Sequence, residues 1–325
     1  MKLGIIGAGA WGTALAQVAA GGGPVRLWAR EPDVVESILK RRENKTFLPS
    51  VSLSDAIQPT NDFGDLADCE ALLLVTPAQH LGATLSKADI GGRPVILCSK
   101  GIEAGTVRLM SDVAADACPD APVMVLSGPT FAAEVARGLP TAVTFACADE
   151  SAARPVIERI AQPGFRPYFT DDVIGAEVGG AVKNVLAIAC GVATGLDLGQ
   201  NARAALISRG FAEMTRFGLA KGAREETLGG LSGLGDLVLT CSSEASRNMS
   251  FGKALGEGAS AAELMADRVT VAEGVHTAPV LMEAARQLGI DMPISEVVLA
   301  LIEGRFDARE ALGALLARPL REEGV

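Results

Sequence analysis

The sequence predicts an α/β protein, with a doubly wound parallel sheet in its first half and an all-α domain in its second. In the first half, short β-branched runs alternate with helical patterns, which is typical of βαβ units. After about Asp172 the strand signal ends, and helices broken by glycine-rich turns follow. A length of 325 residues suits two domains at about 150 residues each. We place the boundary near residue 180, which predicts domains of 1–180 and 181–325.

Each predicted strand is a short apolar run bounded by glycine, proline or polar residues. The predicted strands are Leu3 to Ile6, Val25 to Ala29, Ala71 to Thr76, Val95 to Ser99, Val123 to Leu126, Ala142 to Ala146 and Arg166 to Phe169. Helical patterns that lie between strands include Trp11 to Ala20, Pro32 to Arg42 and Thr106 to Cys118. This alternation predicts crossover helices that pack on a parallel sheet.

Composition and charge exclude several classes of protein. The net charge of −10 disfavours nucleic-acid binding, although a local basic cluster can still bind an anionic substrate. The 6 cysteines lie apart without a C-x-x-C pair, and with only 2 histidines in the chain we expect no metal site. Reduced, buried cysteines are the expectation, which indicates a cytoplasmic protein.

The N-terminal segment has some features of a signal peptide. Met1 and Lys2 precede an uncharged stretch from Leu3 to Val25. Its glycines are spaced as strand, turn and helix, which a continuous apolar helix would not show. We therefore expect neither export nor membrane insertion.

A glycine-rich loop directly follows the first predicted strand and begins the first helix. Gly7 permits a tight turn, Gly9 lets the backbone approach a pyrophosphate, and Gly12 lets the helix pack closely on the strand. The helix N-terminus offers free N–H groups to the phosphates. This context predicts a Rossmann domain that binds a nicotinamide dinucleotide.

The end of the second strand bears on the choice between NADP and NAD. Arg30 at the strand end suits a 2′-phosphate, which favours NADP(H). In the alternative, Arg30 is a solvated charge and Glu31 binds the adenosine ribose, which would favour NAD(H). NAD(H) therefore remains possible.

A single lysine lies in an uncharged helix of small residues in the second half. Because burial lowers the pKa of an ammonium group towards neutrality, Lys183 is a candidate general acid and base for a carbonyl/alcohol pair. Asn184 could orient a substrate oxygen. The alternative is a lysine whose ammonium reaches the surface.

Two predicted strand ends add polar groups at the edge where open α/β sheets bind ligands. Lys100 follows the fourth strand and is a candidate contact for an anionic substrate. Gly128 and Thr130 follow the next strand and can offer hydrogen bonds.

A dense set of donors lies further along the helical half. Ser246, Arg247 and Asn248 match phosphate geometry, and Asp236 could hold substrate hydroxyls or orient Lys183. Taken alone, Ser246 to Asn248 also fit a capped helix start.

Together these segments resemble the bacterial-type NAD(P)-dependent glycerol-3-phosphate dehydrogenases over nearly the whole chain. Their order and spacing are specific, whereas each motif alone is common. The matching segments are Gly7 to Gly12, Asn44 to Pro49, Ser99 to Gly101, Ser127 to Phe131, Gly179 to Asn184, Asn201 to Arg203, Gly233 to Leu237 and Ser246 to Asn248.

The resemblance implies a homodimer with an N-terminal Rossmann domain, a C-terminal domain like that of 6-phosphogluconate dehydrogenase, and a cleft between them. Lys183 would be the proton acceptor in glycerol 3-phosphate oxidation. The implied substrate contacts are Lys100, Gly128, Thr130, Lys183, Asp236, Ser246, Arg247 and Asn248. The implied dinucleotide contacts are Ala10, Trp11, Arg30, Lys100, Ala132, Arg247, Val271 and Glu273. The family often has serine at position 10, so Ala10 can offer only its backbone N–H.

The expected reaction is reversible NAD(P)H-dependent reduction of dihydroxyacetone phosphate to sn-glycerol 3-phosphate for phospholipid synthesis, with Lys183 as proton donor. One alternative is a β-hydroxyacid or 6-phosphogluconate-type dehydrogenase, which shares the two-domain plan and a Lys-Asn pair. Another is a sensor that binds NADP without turnover.

Overall fold

The computed structural model describes residues 1–267 and 272–319. The chain divides into two compact units. Unit 1 comprises Met1–Lys100 and Arg108–Ala176, and unit 2 comprises Gly101–Val107 and Glu177–Val325. The division after Ala176 lies close to the boundary expected near residue 180. The assignment of Gly101–Val107 to unit 2 is a difference that the sequence did not predict.

Unit 1 is built on one eight-stranded sheet. Its strands are β1 (Leu3–Ile6), β2 (Val25–Trp28), β3 (Ile57–Thr60), β4 (Ala71–Leu74), β5 (Val95–Leu97), β6 (Val123–Ser127), β7 (Thr141–Ala146) and β8 (Phe165–Thr170). They lie in the order β3-β2-β1-β4-β5-β6-β7-β8. The parallel, doubly wound sheet is confirmed for β1 to β6. The pairing of β6 with β7 is antiparallel, so β7 and β8 run opposite to the rest.

Strand β3 was missed by the sequence pattern. Its four residues are Ile, Gln, Pro and Thr, and Pro59 has no N–H for a strand ladder. The strand pairs with β2 only and forms the edge of the sheet, where a proline is tolerated.

The helices of unit 1 are α1 (Ala10–Ala20), α2 (Pro32–Arg41), α3 (Leu81–Leu85), α4 (Met110–Ala117), α5 (Ala132–Ala136) and α6 (Glu150–Ile160). The helix predicted from Thr106 was wrong in its first turn, because α4 begins at Met110. Gly105 has φ +83° and Val107 has φ +60°, and these left-handed conformations prevent a continuous helix.

Both faces of the sheet are buried. Ile5 and Leu73 belong to the apolar cluster on one face, whereas Ile6 and Leu72 belong to the cluster on the other. Neighbouring residues of a strand point to opposite faces, so a continuous apolar run can bury every side chain. Both faces of the sheet are therefore covered by apolar side chains. Polar functional groups can lie at the ends of its strands.

From Glu177 onward, the described elements of unit 2 are helices, as the sequence predicted. Its helices are α7 (Val173–Gly195, which begins in unit 1), α8 (Gly199–Lys221), α9 (Glu225–Leu228), α10 (Asp236–Ser242), α11 (Arg247–Gly256), α12 (Ala261–Asp267), α13 (Glu273–Leu288), α14 (Pro293–Ile302) and α15 (Ala308–Leu316). A π-helical turn at Leu231–Gly235 precedes α10. This turn was expected to be an ordinary glycine-rich break.

Helix α7 is the core helix of unit 2. By length and composition alone it could cross a membrane, but 89% of its most apolar window is buried inside the fold. A Cβ at Gly191 would lie 2.1 Å from the Met249 carbonyl oxygen of α11, so the two helix backbones pack directly against each other. This close packing explains the small, apolar composition of α7.

Candidate active site

The glycine-rich loop of unit 1 has the geometry that its spacing predicted. Gly7 has φ +115°, and a Cβ there would lie 2.7 Å from the Val75 carbonyl oxygen. A Cβ at Gly12 would lie 1.8 Å from the Gly7 carbonyl oxygen, so helix α1 can pack against the loop only without a side chain at that position. A Cβ at Gly9 would meet no atom within 4 Å. The loop is thus closed on the protein side and open beside Gly9.

Two helix N-termini of unit 1 carry expected dinucleotide contacts. Ala10 and Trp11 are the first residues of α1, and both are half-buried. Ala132 is the first residue of α5, which packs against α1. All three residues lie in the first turn of a helix, where backbone N–H groups have no partner within the helix.

Arg30 lies just beyond the end of β2 and is largely exposed. Its guanidinium contacts the Glu31 carboxylate at 2.6 Å, with the arginine side chain 79% exposed and that of Glu31 36% exposed. Arg30 and Glu31 are the two residues that the sequence offered for the choice between NADP and NAD. They therefore contact each other. An exposed pair of this kind is weak, so Arg30 can exchange Glu31 for a phosphate at little cost.

Lys100, Gly128 and Thr130 come together at the strand ends of β5 and β6. Lys100 Nζ lies 3.4 Å from the Gly128 carbonyl oxygen, and Thr130 Oγ1 donates to the same oxygen at 3.3 Å. Gly128 is buried against β7, where a Cβ would lie 2.9 Å from Val143 Cα. Position 128 therefore requires a glycine, because a side chain would keep the end of β6 from lying this close to β7.

Unit 2 contains a buried lysine that is paired with a carboxylate. Lys183 Nζ lies 2.5 Å from Asp236 Oδ1, and the exposed fractions of the two side chains are 8% and 0%. The lysine therefore does not extend its ammonium to the surface. The carboxylate offsets part of the cost of burying the ammonium charge.

Thr240 completes this cluster, and sequence reasoning missed it. Lys183 Nζ donates to Thr240 Oγ1 at 2.9 Å, and Thr240 Oγ1 donates to Asp236 Oδ1 at 3.3 Å. Asp236 and Thr240 are four residues apart in α10 and therefore share one helix face. That spacing was the signal that could have identified the threonine.

A second polar cluster joins three helices of unit 2. Asn248 Nδ2 donates to Asn184 Oδ1 at 2.9 Å, and the Gly274 N–H donates to Asn248 Oδ1 at 2.9 Å. A Cβ at Gly274 would lie 2.5 Å from the Asn184 carbonyl oxygen, which requires glycine there. The amide oxygens of Asn184 and Asn248 are thus both used within the protein.

The N-terminus of α11 carries the remaining donors. Ser246 is its N-cap and accepts a hydrogen bond from the Met249 N–H at 3.3 Å. Arg247 is the first residue of the helix and is exposed. The sequence offered two interpretations of this segment, a capped helix start and a set of donors. The two are compatible, because the cap uses Ser246 and leaves the Arg247 guanidinium at the surface.

Glu273 and Val271 were the weaker expectations from a short motif. Glu273 is half-buried and begins α13. Val271 lies outside the described residues.

The cysteines in the structure are all free and buried. The neighbouring Cys190 thiol and burial hold the pKa of the Cys241 thiol well above its ordinary value. A thiol whose pKa is raised in this way is mostly protonated at neutral pH and is a poor nucleophile. No group of three or more metal-binding side chains occurs among the residues that the structure describes.

A parallel-sheet unit with this glycine loop, together with a helical unit that holds a buried lysine against a carboxylate, is the organisation of a nicotinamide-dependent dehydrogenase. The family model for the N-terminus of NAD-dependent glycerol-3-phosphate dehydrogenase matches residues 2–153, and the C-terminal model matches residues 172–313. The chain belongs to the NAD-dependent glycerol-3-phosphate dehydrogenase family. The resemblance drawn from the sequence motifs is thereby confirmed.

Curated relatives and a solved structure agree with this assignment. The glycerol-3-phosphate dehydrogenase [NAD(P)+] of Novosphingobium aromaticivorans is 64% identical, over 99% of this chain and 98% of the relative. That of Caulobacter vibrioides is 56% identical, over the same shares of the two chains. The crystal structure of glycerol-3-phosphate dehydrogenase from Coxiella burnetii has a TM-score of 0.93 at 39% identity, covering 98% of this chain and 99% of that one. The fold class predicted from the sequence is confirmed.

Proposed function

We propose that this chain catalyses the reversible NAD(P)H-dependent reduction of dihydroxyacetone phosphate to sn-glycerol 3-phosphate. The observation that carries the proposal is the buried Lys183–Asp236–Thr240 cluster in a chain of this family. A lysine that is buried and held at a fixed position is suited to proton transfer to a carbonyl oxygen.

The loop of unit 1 fits a dinucleotide. Gly9 leaves its backbone accessible, and Gly7 and Gly12 are required by the closeness of the surrounding backbone. We assign the binding of the dinucleotide phosphates to this loop, with the backbone of Ala10 and Trp11 at the start of α1. Lys100, Ala132, Arg247, Val271 and Glu273 are further proposed contacts. When bound, the nicotinamide supplies the hydride.

The proposed step at Lys183 balances the charge on the substrate oxygen. As C2 of the ketone accepts the hydride, its oxygen becomes an alkoxide, and Lys183 Nζ donates a proton to that oxygen. The product is a secondary alcohol, and the neutral amine is then protonated again from solvent. Asp236 and Thr240 hold Nζ in place during the step.

We assign recognition of the substrate phosphate to the basic and polar groups that the sequence motifs indicated. Arg247 at the start of α11 combines a guanidinium with a helix N-terminus, and these two features favour an anion. Ser246 and Asn248 flank it, while Lys100, Gly128 and Thr130 form the cluster at the β5 and β6 ends. Binding of the remote phosphate would orient C2 for reaction.

NADP(H) is the proposed preferred cofactor. The exposed Arg30 guanidinium at the end of β2 supports this choice, because it can pair with a 2′-phosphate. Arg30→Ala is expected to lower the ratio of kcat/KM for NADPH over that for NADH by about tenfold, the usual effect of one charged hydrogen bond. An unchanged ratio in the variant would instead support ribose binding by Glu31.

We further propose a homodimer that works in the cytoplasm and supplies phospholipid synthesis. The free, buried cysteines fit a reducing compartment. Light scattering of the purified chain tests the dimer, since a monomeric mass would contradict it.

The direct test follows the absorbance of reduced nicotinamide with dihydroxyacetone phosphate, using NADPH and NADH in parallel. Turnover is expected with the triose phosphate and not with a panel of 2-hydroxy and 3-hydroxy acids assayed in the oxidation direction. Binding of NADPH without turnover of any substrate would indicate a sensor. Turnover of a hydroxy acid alone would move the chain to the other dehydrogenase class.

A further inference from the structure

A fully buried amide lies directly behind the glycine-rich loop. Asn44 belongs to the connection between α2 and β3, and its side chain is 0% exposed. Its Nδ2 donates to the Ala8 carbonyl oxygen at 2.8 Å and to Thr13 Oγ1 at 2.8 Å. Its Oδ1 accepts a hydrogen bond from the Phe47 N–H at 3.1 Å. Both donors and the oxygen of the amide are therefore used.

The Ala8 carbonyl and the side chains of Asn44 and Thr13 form a closed network. Thr13 Oγ1 accepts from Asn44 Nδ2 and also donates to the Ala8 carbonyl oxygen at 3.3 Å. Thr13 is itself 0% exposed. A buried polar network in which every member has a partner is rigid, so the direction of the Ala8 carbonyl is set by two side chains.

The direction of the Ala8 carbonyl also sets the direction of the next N–H. The described peptide bonds are trans, and in a trans peptide the C=O and the following N–H point in opposite directions. Because the Ala8 carbonyl points inward to Asn44, the Gly9 N–H points away from it. Gly9 also leaves open space where a side chain would lie.

We propose that Asn44 is a positioning residue for the cofactor, which aims the Gly9 N–H at the dinucleotide phosphates through the Ala8 carbonyl. This inference rests on the proposed function of the loop in dinucleotide binding. An amide is the side chain that fits, because it supplies two donors and one acceptor at a single position. An aspartate of the same shape would keep the acceptor for Phe47 and lose both donors.

The test compares Asn44→Asp with Gln17→Ala. Gln17 lies on α1 and also bonds to the same connection, since its Oε1 accepts from the Ser54 N–H at 2.9 Å. Its side-chain hydrogen bonds go to Ser52 and Ser54, and neither involves Ala8. The dissociation constant for NADPH is measured by nicotinamide fluorescence, together with kcat at saturating NADPH and the melting temperature of the free protein.

Asn44→Asp is expected to weaken NADPH binding by about tenfold, the effect of losing one well-aimed hydrogen bond, with kcat changed by less than about twofold. Gln17→Ala is expected to leave binding within about twofold. Equal losses in the two variants, or wild-type affinity in Asn44→Asp, would overturn the inference. A wild-type chain that did not bind NADPH would overturn the proposed function, and the inference with it.

Thr13 provides a second route to the same answer if Asn44→Asp fails to fold. Thr13→Val keeps the shape and loses the hydroxyl, whereas Thr13→Ser keeps the hydroxyl. The expected order of NADPH affinity is wild type, then Thr13→Ser, then Thr13→Val. Equal affinities of the serine and valine variants would show that the network has no part in cofactor binding.

Discussion

The candidate sites of the two units consist of different chemical groups, namely backbone groups in unit 1 and a side chain in unit 2. In unit 1 the glycine loop offers backbone groups, and its shape depends on the absence of side chains at Gly7 and Gly12. In unit 2 the reactive group is a side chain, Lys183, whose partner Asp236 is 53 residues away along the chain. A backbone site can be encoded by a few neighbouring residues. A buried side-chain site depends on how distant helices pack.

The difference also appears in the energetics. Removing two charges from water is costly, and a buried ion pair often stabilises a fold no better than apolar residues of similar size. The Lys183–Asp236 pair is therefore poorly explained by stability alone. A role in chemistry accounts for its presence in the core of unit 2.

The largest expected effect is on catalysis by unit 2. Lys183→Met removes the proposed proton donor and should lower kcat by about a thousandfold, within the usual range for general acid catalysis. The NADPH dissociation constant should change little, because Lys183 is not among the proposed dinucleotide contacts. Steady-state rates with dihydroxyacetone phosphate and fluorescence titration measure the two quantities. A variant that keeps most of its turnover would remove the proton relay from the mechanism.

A second prediction separates the stability of the buried pair from its chemistry. Asp236→Ala leaves the Lys183 ammonium buried without its carboxylate and should destabilise the protein by about 3–5 kcal/mol in urea unfolding. The double variant Lys183→Met/Asp236→Leu should recover most of this stability and none of the activity. As a matched control, Glu36→Ala removes the exposed ion pair with Lys40 and should leave the urea midpoint nearly unchanged. Activity in the double variant would contradict the assignment.

A third prediction concerns a buried carboxylate of unit 2 outside this cluster. Burial raises the pKa of Glu213 from 4.5 to about 7, although the N–H groups of Ile294 and Ser295, the Ser295 hydroxyl and the charge of Arg216 act to lower it. The folded chain then binds this proton more tightly than the unfolded chain. The resulting stability is present below about pH 4.5 and is lost as the pH rises through about 7.

The shift corresponds to about 3 kcal/mol between pH 5 and pH 8. Glu213→Gln should remove this part of the pH dependence while keeping the side-chain shape. Urea unfolding of both proteins at several pH values gives the comparison. Parallel stability curves for wild type and variant would show that Glu213 does not titrate in this range.

The smallest expected effect lies within the loop of unit 1. Gly12→Ala places a Cβ against the Gly7 carbonyl and should cost about 2 kcal/mol of stability. Gly9→Ala meets open space, so its stability should fall by less than about 1 kcal/mol, while NADPH binding should weaken. Thermal melting and fluorescence titration of both variants distinguish the two roles. Equal stability losses would mean that Gly9 is also packed against the protein.

Much of unit 1 could be predicted from residues that are close together in the sequence. The glycine spacing of the loop, the start of α1 and the apolar strands follow from local sterics and periodicity. Strand β3 was missed because Pro59 and the polar Gln58 hide a strand that is tolerated only at the sheet edge. The antiparallel direction of β7 has no local signal, because an apolar run looks the same in either direction.

By itself, the sequence determined the fold class and the candidate lysine, because glycine geometry, strand periodicity and the cost of a charge in an apolar helix are local properties. The order and spacing of its motifs carried the resemblance to the family. Tertiary structure alone decided that Thr240 joins Lys183 and Asp236, and that Asn44 reaches Ala8 across 36 positions. These contacts depend on which helices and connections pack together. Hydrogen bonds act over about 3 Å, so residues distant in sequence become partners only when the chain has folded.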